Sequence, residues 1–480
     1  MGYLLVLFPV VVAAVAFMVP SGRVRPWFIP FGAAVHLAMS AYAIVSPPPD
    51  FAPGSAGWLN LDPLGKLFLG FVSLLFFLLS LYAPGYFAVR AERSNRILCS
   101  NLLISLAMMT LMILSQHIGL LWVAMEAITL FSAPSIYFNH NARSLEATWK
   151  FLLVSSVGIA LALLGSLFLA YASLKSGIVS TLLFPDLVRD APRFSAEWLH
   201  AAFILLLVGY GTKMGLAPMH TWKPDAYGEA PGLVGSLLAG GVTSCAFLAL
   251  TRVYQICRGT GEAEFAREAM IALGLLSMAF AAAFMVRQKD FKRMLAYSSV
   301  EHMGILVIGL AVGGLAAYGA FLHMINNGLT KGVLFLSAGN IHRAYGSKSI
   351  EQVSGAFRRV PYSATLFVAG FLAITGSPPF GPFVSEFTIV RSALDAGYYG
   401  TVAVFILLLG VVFIGMGTTV LAVAQGEPPA DPPPTPFRER FGTVAPVVLF
   451  LALVVLLGLY IPPELDKLLR EAVAFLEARP

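Results

Sequence analysis

Four ionisable residues lie deep inside apolar segments of the sequence: Glu126, Lys213, Lys331 and Glu386. A charged side chain at the centre of a lipid bilayer costs about 3 kcal/mol on insertion scales, so each of these residues needs a counter-ion, water or both. Burial favours the neutral form of such a group, whereas a nearby opposite charge favours the charged form. These residue types at these positions therefore indicate proton transfer, and for Glu126 a purely structural ion pair is the alternative.

Lys331 shares one helical face with two other polar residues. Asn327 and His323 precede it by four and eight residues in HMINNGLTKGVLFL, and this spacing places all three side chains on one side of a helix. The polar stripe predicts a hydrogen-bonded relay, and a packed polar seam is the alternative.

Three further residues are candidate accessory sites, because they lie close to the buried charges in the chain. Glu301 and His302 are adjacent near the end of an apolar segment, and His220 follows Pro218. The sequence contains no HExxH motif and no phosphate-binding loop, and its three cysteines do not have a ligand spacing. We therefore expect no catalytic residue, no metal ion and no cofactor.

The composition indicates a membrane protein. Hydrophobic residues make up 58% of the 480 residues and charged residues only 12%, whereas soluble domains carry about 25% charged residues. A pI near 9.2 does not indicate nucleic-acid binding, because Lys and Arg of a membrane protein concentrate in cytoplasmic loops. The segment from Tyr3 to Pro20 lacks a basic region before it, so we expect a first span rather than a cleaved signal.

The apolar runs predict an all-α polytopic fold with about fourteen transmembrane helices, since about 20 apolar residues span a bilayer. The predicted spans lie near residues 3–20, 27–46, 61–82, 97–115, 118–138, 149–172, 198–219, 231–257, 269–287, 293–313, 316–341, 361–395, 400–424 and 443–461. The twelfth is too long for one span and contains SPPFGP, so it must be broken.

The loop charges predict an orientation. If the N-terminus is outside, most Lys and Arg residues of the loops lie on the cytoplasmic side, as expected for a membrane protein. Lys223 and Lys292 are counted on the cytoplasmic side, and Arg252 is counted on the outer side. We therefore expect the inner membrane of a prokaryotic cell, with both termini on the periplasmic side.

Two five-span units follow each other in the chain. Each contains one span broken by proline, near Pro218 and near Pro379, and an odd number of spans gives the two units inverted topology. Inverted repeats with broken helices are typical of transporters. The predicted division is 1–96 for three N-terminal spans, 97–257 for the first repeat, 258–424 for the second, and 425–480 for a proline-rich loop, the last span and an amphipathic helix. We expect that last helix to lie along the membrane surface or a partner.

Five motifs together resemble the antiporter-like, proton-translocating subunits of respiratory complex I, Mrp-type sodium/proton antiporters and membrane-bound nickel–iron hydrogenases. They are WVAMEA around Glu126, KMGLAPMHTWKPDAYGEAP from Lys213, DFKRMLAYSSVEHMG, HMINNGLTKGVLFL and SPPFGPFVSEF to Glu386. Within that family, the segment 143–165 is most similar to component F of hydrogenase-4 and formate hydrogenlyase-type complexes.

The resemblance implies roles for these residues. Glu126 would pair with Lys213, Lys331 would be the central relay lysine, and Glu386 would be the terminal site. It also implies partners: other antiporter-like and small membrane subunits, and a peripheral redox arm with iron–sulfur and nickel–iron subunits. The chain departs from the family at Ser244, where several relatives carry a lysine, so Ser244 is an accessory candidate.

Three functions remain open at this point. The first is proton translocation in a respiratory complex, by a subunit without a catalytic centre of its own. The second is a subunit of a Na⁺/H⁺ antiporter or of a complex I-like NADH/ferredoxin:quinone oxidoreductase. The third is a membrane scaffold that anchors a soluble partner enzyme.

Overall fold

The computed structural model describes residues 1–48, 51, 57–178, 181–429, 435 and 437–478. Within these ranges the chain forms helices and loops, with isolated β-bridges but no strand. The main helices are Gly2–Met18, Phe28–Val45, Pro63–Val89, Arg96–Leu114, Ile118–Ile136, Ala142–Lys175, Ala196–Met214, Trp222–Glu229, Gly232–Gly259, Ala263–Met285, Phe291–Val312, Leu315–Tyr345, Pro361–Ile374, Gly381–Asp395, Tyr399–Ala424, Phe441–Leu459 and Pro463–Glu477.

Each of the fourteen predicted spans coincides with one of these helices or with a pair of them. Ten helices in the described part of the chain are long and apolar enough to cross a membrane, and Gly2–Met18 and Pro361–Ile374 are shorter apolar helices. The prediction of an all-α polytopic membrane protein is confirmed. Half of the predicted proline-rich connector 426–437, namely residues 430–434 and 436, lies outside the described residues.

The helix Leu315–Tyr345, here called the central helix, is buried along most of its length. By contrast, Ala142–Lys175 exposes a row of large apolar side chains: Trp149, Leu153, Val157, Leu164 and Leu167. An exposed apolar row of this kind suits contact with lipid, whereas polar side chains at bilayer depth are tolerated where they face protein or water. Burial therefore explains how the central helix can carry His323, Asn327 and Lys331.

Both predicted helix breaks are present, and they have the same construction. In the first break, Ala196–Met214 ends at Gly215 with a φ of 81°, and a cis Ala217–Pro218 bond precedes Trp222–Glu229. In the second break, Pro361–Ile374 is followed by Gly376 with a φ of 68° and by a cis Pro378–Pro379 bond. Proline ends a helix because it lacks the backbone N–H, and glycine adopts a positive φ without strain. The division into two repeats stays a prediction.

The helix Gly232–Gly259 contains a π-helical stretch, Leu237–Val242, just before Ser244. Glycines let this stretch approach the central helix closely: a methyl group on Gly240 would lie 3.3 Å from the Cα of Gly328. Single π turns are rare in helices and occur frequently at functional sites. The distortion thus lies where the two buried helices meet.

The helix Pro463–Glu477 is amphipathic, as predicted, but its apolar side packs on this chain. Leu469, Ala472 and Leu476 are buried, and Gln255 Nε2 donates a hydrogen bond to the carbonyl of Phe475 at 2.7 Å. The apolar side of the helix is therefore covered by this chain itself, and the position of the helix along the membrane surface or a partner stays a prediction.

The polar side of the same helix is also attached to the core. Tyr318 Oη on the central helix donates to Asp466 Oδ1 at 2.8 Å, and within the amphipathic helix Arg470 Nε donates to Asp466 Oδ2 at 2.8 Å. The hydrogen bond from Arg470, together with that from Tyr318, holds the pKa of Asp466 below its usual range.

Candidate functional site

Glu126 and Lys213 lie side by side next to the first break. Lys213 Nζ is 3.8 Å from Glu126 Oε2 and donates a hydrogen bond to Thr129 Oγ1. Ser156 Oγ donates to the other carboxylate oxygen, Oε1, at 3.1 Å. The side chain of Lys213 is 2% exposed and that of Glu126 is 22% exposed, so the pair joins a buried cation to a partly accessible anion.

Local structure explains the position of Lys213. It lies in the last turn of Ala196–Met214, where unpaired carbonyl groups favour a cation. Its ammonium also lies 5.8 Å from the ring centroid of Phe151, within the range of a cation–π contact. The helix end that the break creates therefore contributes to accommodating the charge.

Lys331 is fully buried in the central helix. Its Nζ donates to Ser298 Oγ at 2.8 Å and lies 3.4 Å from the carbonyl oxygen of Leu295. Glu301, also buried, interacts electrostatically with Lys331 from the same neighbouring helix as Ser298. The charge of Lys331 is thus met by groups on another helix.

A chain of polar contacts connects the central helix to the second break. His302 Nδ1 and His323 Nε2 are 3.0 Å apart, and His323 Nδ1 is 2.9 Å from Ser385 Oγ. His302 Nδ1 lies 3.9 Å from Glu386 Oε1, and His302 Nε2 lies 3.9 Å from Glu301 Oε2. The structure therefore brings together His323 and Glu386 with the accessory candidates Glu301 and His302. We call these four residues the histidine cluster.

Part of this cluster has the geometry to hold a cation. Each of three buried residues offers one ligand atom, and these atoms lie within 4.8 Å of one another: they belong to His302, His323 and Glu386. Two imidazoles and a carboxylate suit zinc and other divalent transition metals. The sequence predicted no metal ion, and that stays a prediction.

Other predicted residues are not joined to the cluster by direct hydrogen bonds. Ser244 Oγ donates to the carbonyl of Gly240 in its own helix at 2.6 Å. The ring of His220 packs on Phe280 with centroids 5.5 Å apart, and its Nδ1 has no partner among the described residues. Asn327 Oδ1 likewise has none within the described ranges. The hydrogen bonds of His323 and Lys331 leave the central helix instead of running along its face.

Three cations that the predicted orientation counts as loop charges are buried. Arg252 forms an ion pair with Asp62 at 2.9 Å, although it lies within a predicted span whose apolar surroundings indicated burial. Lys292 donates to the carbonyls of Gly228 and Ala230 at 2.9 and 2.6 Å. Lys223, directly after the first break, is also buried. All three residues thus lie in helices and not in loops, and the predicted orientation stays a prediction.

Several buried polar atoms near these sites have no hydrogen-bond partner among the described residues. They are Glu126 Oε2, Tyr210 Oη, His220 Nδ1, Lys223 Nζ, Tyr227 Oη, His302 Nε2, Asn327 Oδ1 and Glu386 Oε1. Buried polar groups are usually paired, and ordered water commonly supplies the partner. These atoms therefore mark positions at which water would be held near the charges.

Comparison with known proteins identifies the class. Residues 115–415 match the family described as NADH:quinone oxidoreductase/Mrp antiporter, TM. The chain therefore belongs to this family of antiporter-like membrane subunits, and the resemblance seen in the sequence is confirmed.

Two relatives and one solved structure are similar to this chain along most of its length. The chain is 32% identical over 472 residues to a hydrogenase-4 component F homolog of Methylacidiphilum infernorum (isolate V4), with 96% of each chain covered. It is 30% identical over 407 residues to NADH-quinone oxidoreductase subunit N of Desulforudis audaxviator (strain MP104C), covering 83% of this chain and 80% of the relative. A chain of the membrane-bound sulfane sulfur reductase, an archaeal respiratory membrane complex, superposes with a TM-score of 0.88 at 21% identity, covering 99% and 97% of the two chains. That last likeness shows a shared fold.

Proposed function

We propose that this chain translocates protons as a non-catalytic subunit of a multi-subunit respiratory complex. The observation that carries the proposal is the arrangement of buried titratable groups from the first break to the second. The Glu126–Lys213 pair lies beside the first break, Lys331 is in the central helix, and the histidine cluster reaches Glu386 after the second break. Intramembrane ionisable residues of this kind mark proton relays in pumps and transporters.

In this proposal, Glu126 exchanges protons with the aqueous phase because its side chain is the more exposed member of its pair. Lys213 exchanges protons with Glu126 and with water held at the break. The histidine cluster forms the other part of the route, where His302 and His323 pass a proton between Lys331 and Glu386. Imidazole is suited to this step because one ring nitrogen accepts a proton while the other donates one.

The complex would be a group 4 nickel–iron hydrogenase or a formate hydrogenlyase-type complex. Similarity along almost the whole chain to a hydrogenase-4 component F homolog supports this assignment. The chain would then assemble with other antiporter-like and small membrane subunits and with a peripheral arm carrying iron–sulfur and nickel–iron subunits. It would lie in the plasma membrane of a prokaryotic cell with both termini on the outer side.

The test replaces Lys331 by methionine in the purified native complex reconstituted into liposomes. Lys331 is fully buried, and Lys289→Met serves as a control because Lys289 is 75% exposed on a loop. We expect the control to be unchanged. We expect Lys331→Met to lower the number of protons translocated per electron at least tenfold, since methionine fills similar space but cannot carry a proton.

The alternatives give different results in the same experiment. Unchanged proton translocation in Lys331→Met refutes the pump and favours a scaffold. Electron-independent proton flux that requires an inward Na⁺ gradient favours a Na⁺/H⁺ antiporter subunit. The match to a family whose description includes the Mrp antiporter is the observation that favours this second function.

A further inference from the structure

Lys223 is a buried cation without an evident partner. Its side chain is 0% exposed, and its Nζ has no hydrogen-bond acceptor among the described residues. The other buried lysines among the described residues differ. Lys213 has Glu126 beside it, Lys292 donates to two carbonyl groups, and Lys331 donates to Ser298. Burying an unpaired ammonium is costly, so such a group must recruit water or release its proton.

The side chain of Lys223 lies directly across the first break. A methyl group on Gly215 would collide with its Cε and Cδ atoms and would lie 2.8 Å from its Nζ. Gly215 is the positive-φ glycine that ends the helix carrying Lys213. The amine of Lys223 is therefore held where the helix containing the first buried charge stops.

The second break has a matching arrangement. The carboxylate of Glu386 lies over Gly376, the positive-φ glycine of that break, so that a methyl group there would collide with Oε2. In both breaks a charged residue from the helix after the proline folds back over the glycine before it. Lys223 thus has the position in the first break that Glu386 has in the second.

The surroundings of Lys223 combine aromatic rings with other titratable groups. Its Nζ lies 6.0 Å from the ring centroid of Trp222 and 5.7 Å from that of Tyr227, on its own helix. It interacts electrostatically with Lys331 and His302 on two different helices and with His220 in the break. None of these interactions, within the described part of the chain, involves a carboxylate.

We propose that Lys223 is a proton-binding site of the first break, which exchanges its proton through water with Lys213 on one side and with Lys331 on the other. The proposal rests on the proposed function. In each step an N–H bond of one lysine breaks and an O–H bond of water forms. The water then gives a proton to the next amine, where an O–H bond breaks and an N–H bond forms, so one positive charge has moved from the first lysine to the second. Lys223 thereby connects the Glu126–Lys213 pair beside the first break to Lys331 in the central helix.

The experiment compares three variants of the native complex in liposomes. Lys223→Met keeps the unbranched chain over Gly215 but cannot bind a proton. Lys223→Arg keeps a positive charge, but arginine does not release its proton in proteins. Lys289→Met is the exposed control. The readouts are protons translocated per electron, the pH profile of translocation between pH 6 and 9, and the melting temperature of the complex.

We expect Lys223→Met and Lys223→Arg each to lower proton translocation per electron at least fivefold, while the control is unchanged. We also expect Lys223→Met to melt at the same or a higher temperature, because an unpaired buried charge is removed. A variant with normal translocation and pH profile overturns the proposal. Loss in Lys223→Met with full activity in Lys223→Arg also overturns it, because a fixed charge would then be sufficient.

Lys331→Met, measured beside these three variants, separates the proposal for Lys223 from the proposed function of the whole chain. If Lys331→Met abolishes translocation and Lys223→Met does not, the chain is a pump that does not use Lys223. If neither variant affects translocation, the proposed function fails and the site at Lys223 fails with it.

Discussion

The ion pair at the first break can be tested by a double-mutant cycle of Glu126→Gln, Lys213→Met and the combined variant. Two unit charges 3.8 Å apart attract by about 4 kcal/mol at an effective dielectric constant of about 20. Exposed pairs usually contribute less than about 1 kcal/mol because water screens them. Lys213 is buried but Glu126 is partly exposed, so we expect a coupling free energy of about 2 kcal/mol, between those limits.

The assay is reversible unfolding of the purified chain in mixed detergent micelles, with the free energy of unfolding measured for all four proteins. Each single variant leaves one member of the pair without its partner, whereas the double variant leaves neither. The free energy of unfolding of the double variant should therefore be about 2 kcal/mol higher than the value obtained by adding the effects of the two single variants. A coupling free energy below about 0.5 kcal/mol would refute the reasoning, because distant and independent sites give values of that size.

Two further predictions concern packing and the attached helix. Gly158→Ala should lower the free energy of unfolding by about 1–3 kcal/mol, because the new methyl group would lie 2.6 Å from the Cβ of Thr212. Gly410→Ala, with no atom within 4 Å, should be neutral or slightly stabilising in the same measurement, and equal effects would contradict the argument. Asp466→Asn should increase hydrogen exchange in Pro463–Glu477 at neutral pH, because the pKa of Asp466 is lowered by its hydrogen bond from Arg470. A carboxylate with a lowered pKa stabilises the folded protein fully at pH values above its ordinary pKa of about 3.9. This stabilisation is lost as the pH falls through the lowered pKa. The difference in hydrogen exchange between Asp466→Asn and the unchanged protein should therefore disappear in acid. A difference that persists there would show that another contact of Asp466 is responsible.

The spans and both breaks could be predicted because their causes are local. An apolar run long enough to cross a bilayer has few other uses, and SPPFGP cannot continue a helix. The buried charges Glu126, Lys213, Lys331 and Glu386 were identifiable for the same reason, since each lies far from the ends of its apolar run.

Other features could not be predicted because they depend on how helices face each other. The contact between His302 and His323 is fixed by the rotation of two helices about their axes, which apolar periodicity alone does not determine. Lys223 and Lys292 lie near helix ends, where a sequence does not show whether the end meets water or protein. The amphipathic pattern of Pro463–Glu477 identified an apolar face but not the surface that covers it.

The attachment of Pro463–Glu477 has a consequence for the synthesis of this protein. Gln255 and Tyr318 lie on helices that precede it by more than a hundred residues, yet both form hydrogen bonds with it. During translation these helices are made before Pro463–Glu477, so their contact surface is open until that last helix has been synthesised. A ribosome stalled after residue 460 should yield a nascent chain that is cut by protease near Gln255, and release of the complete chain should end that sensitivity.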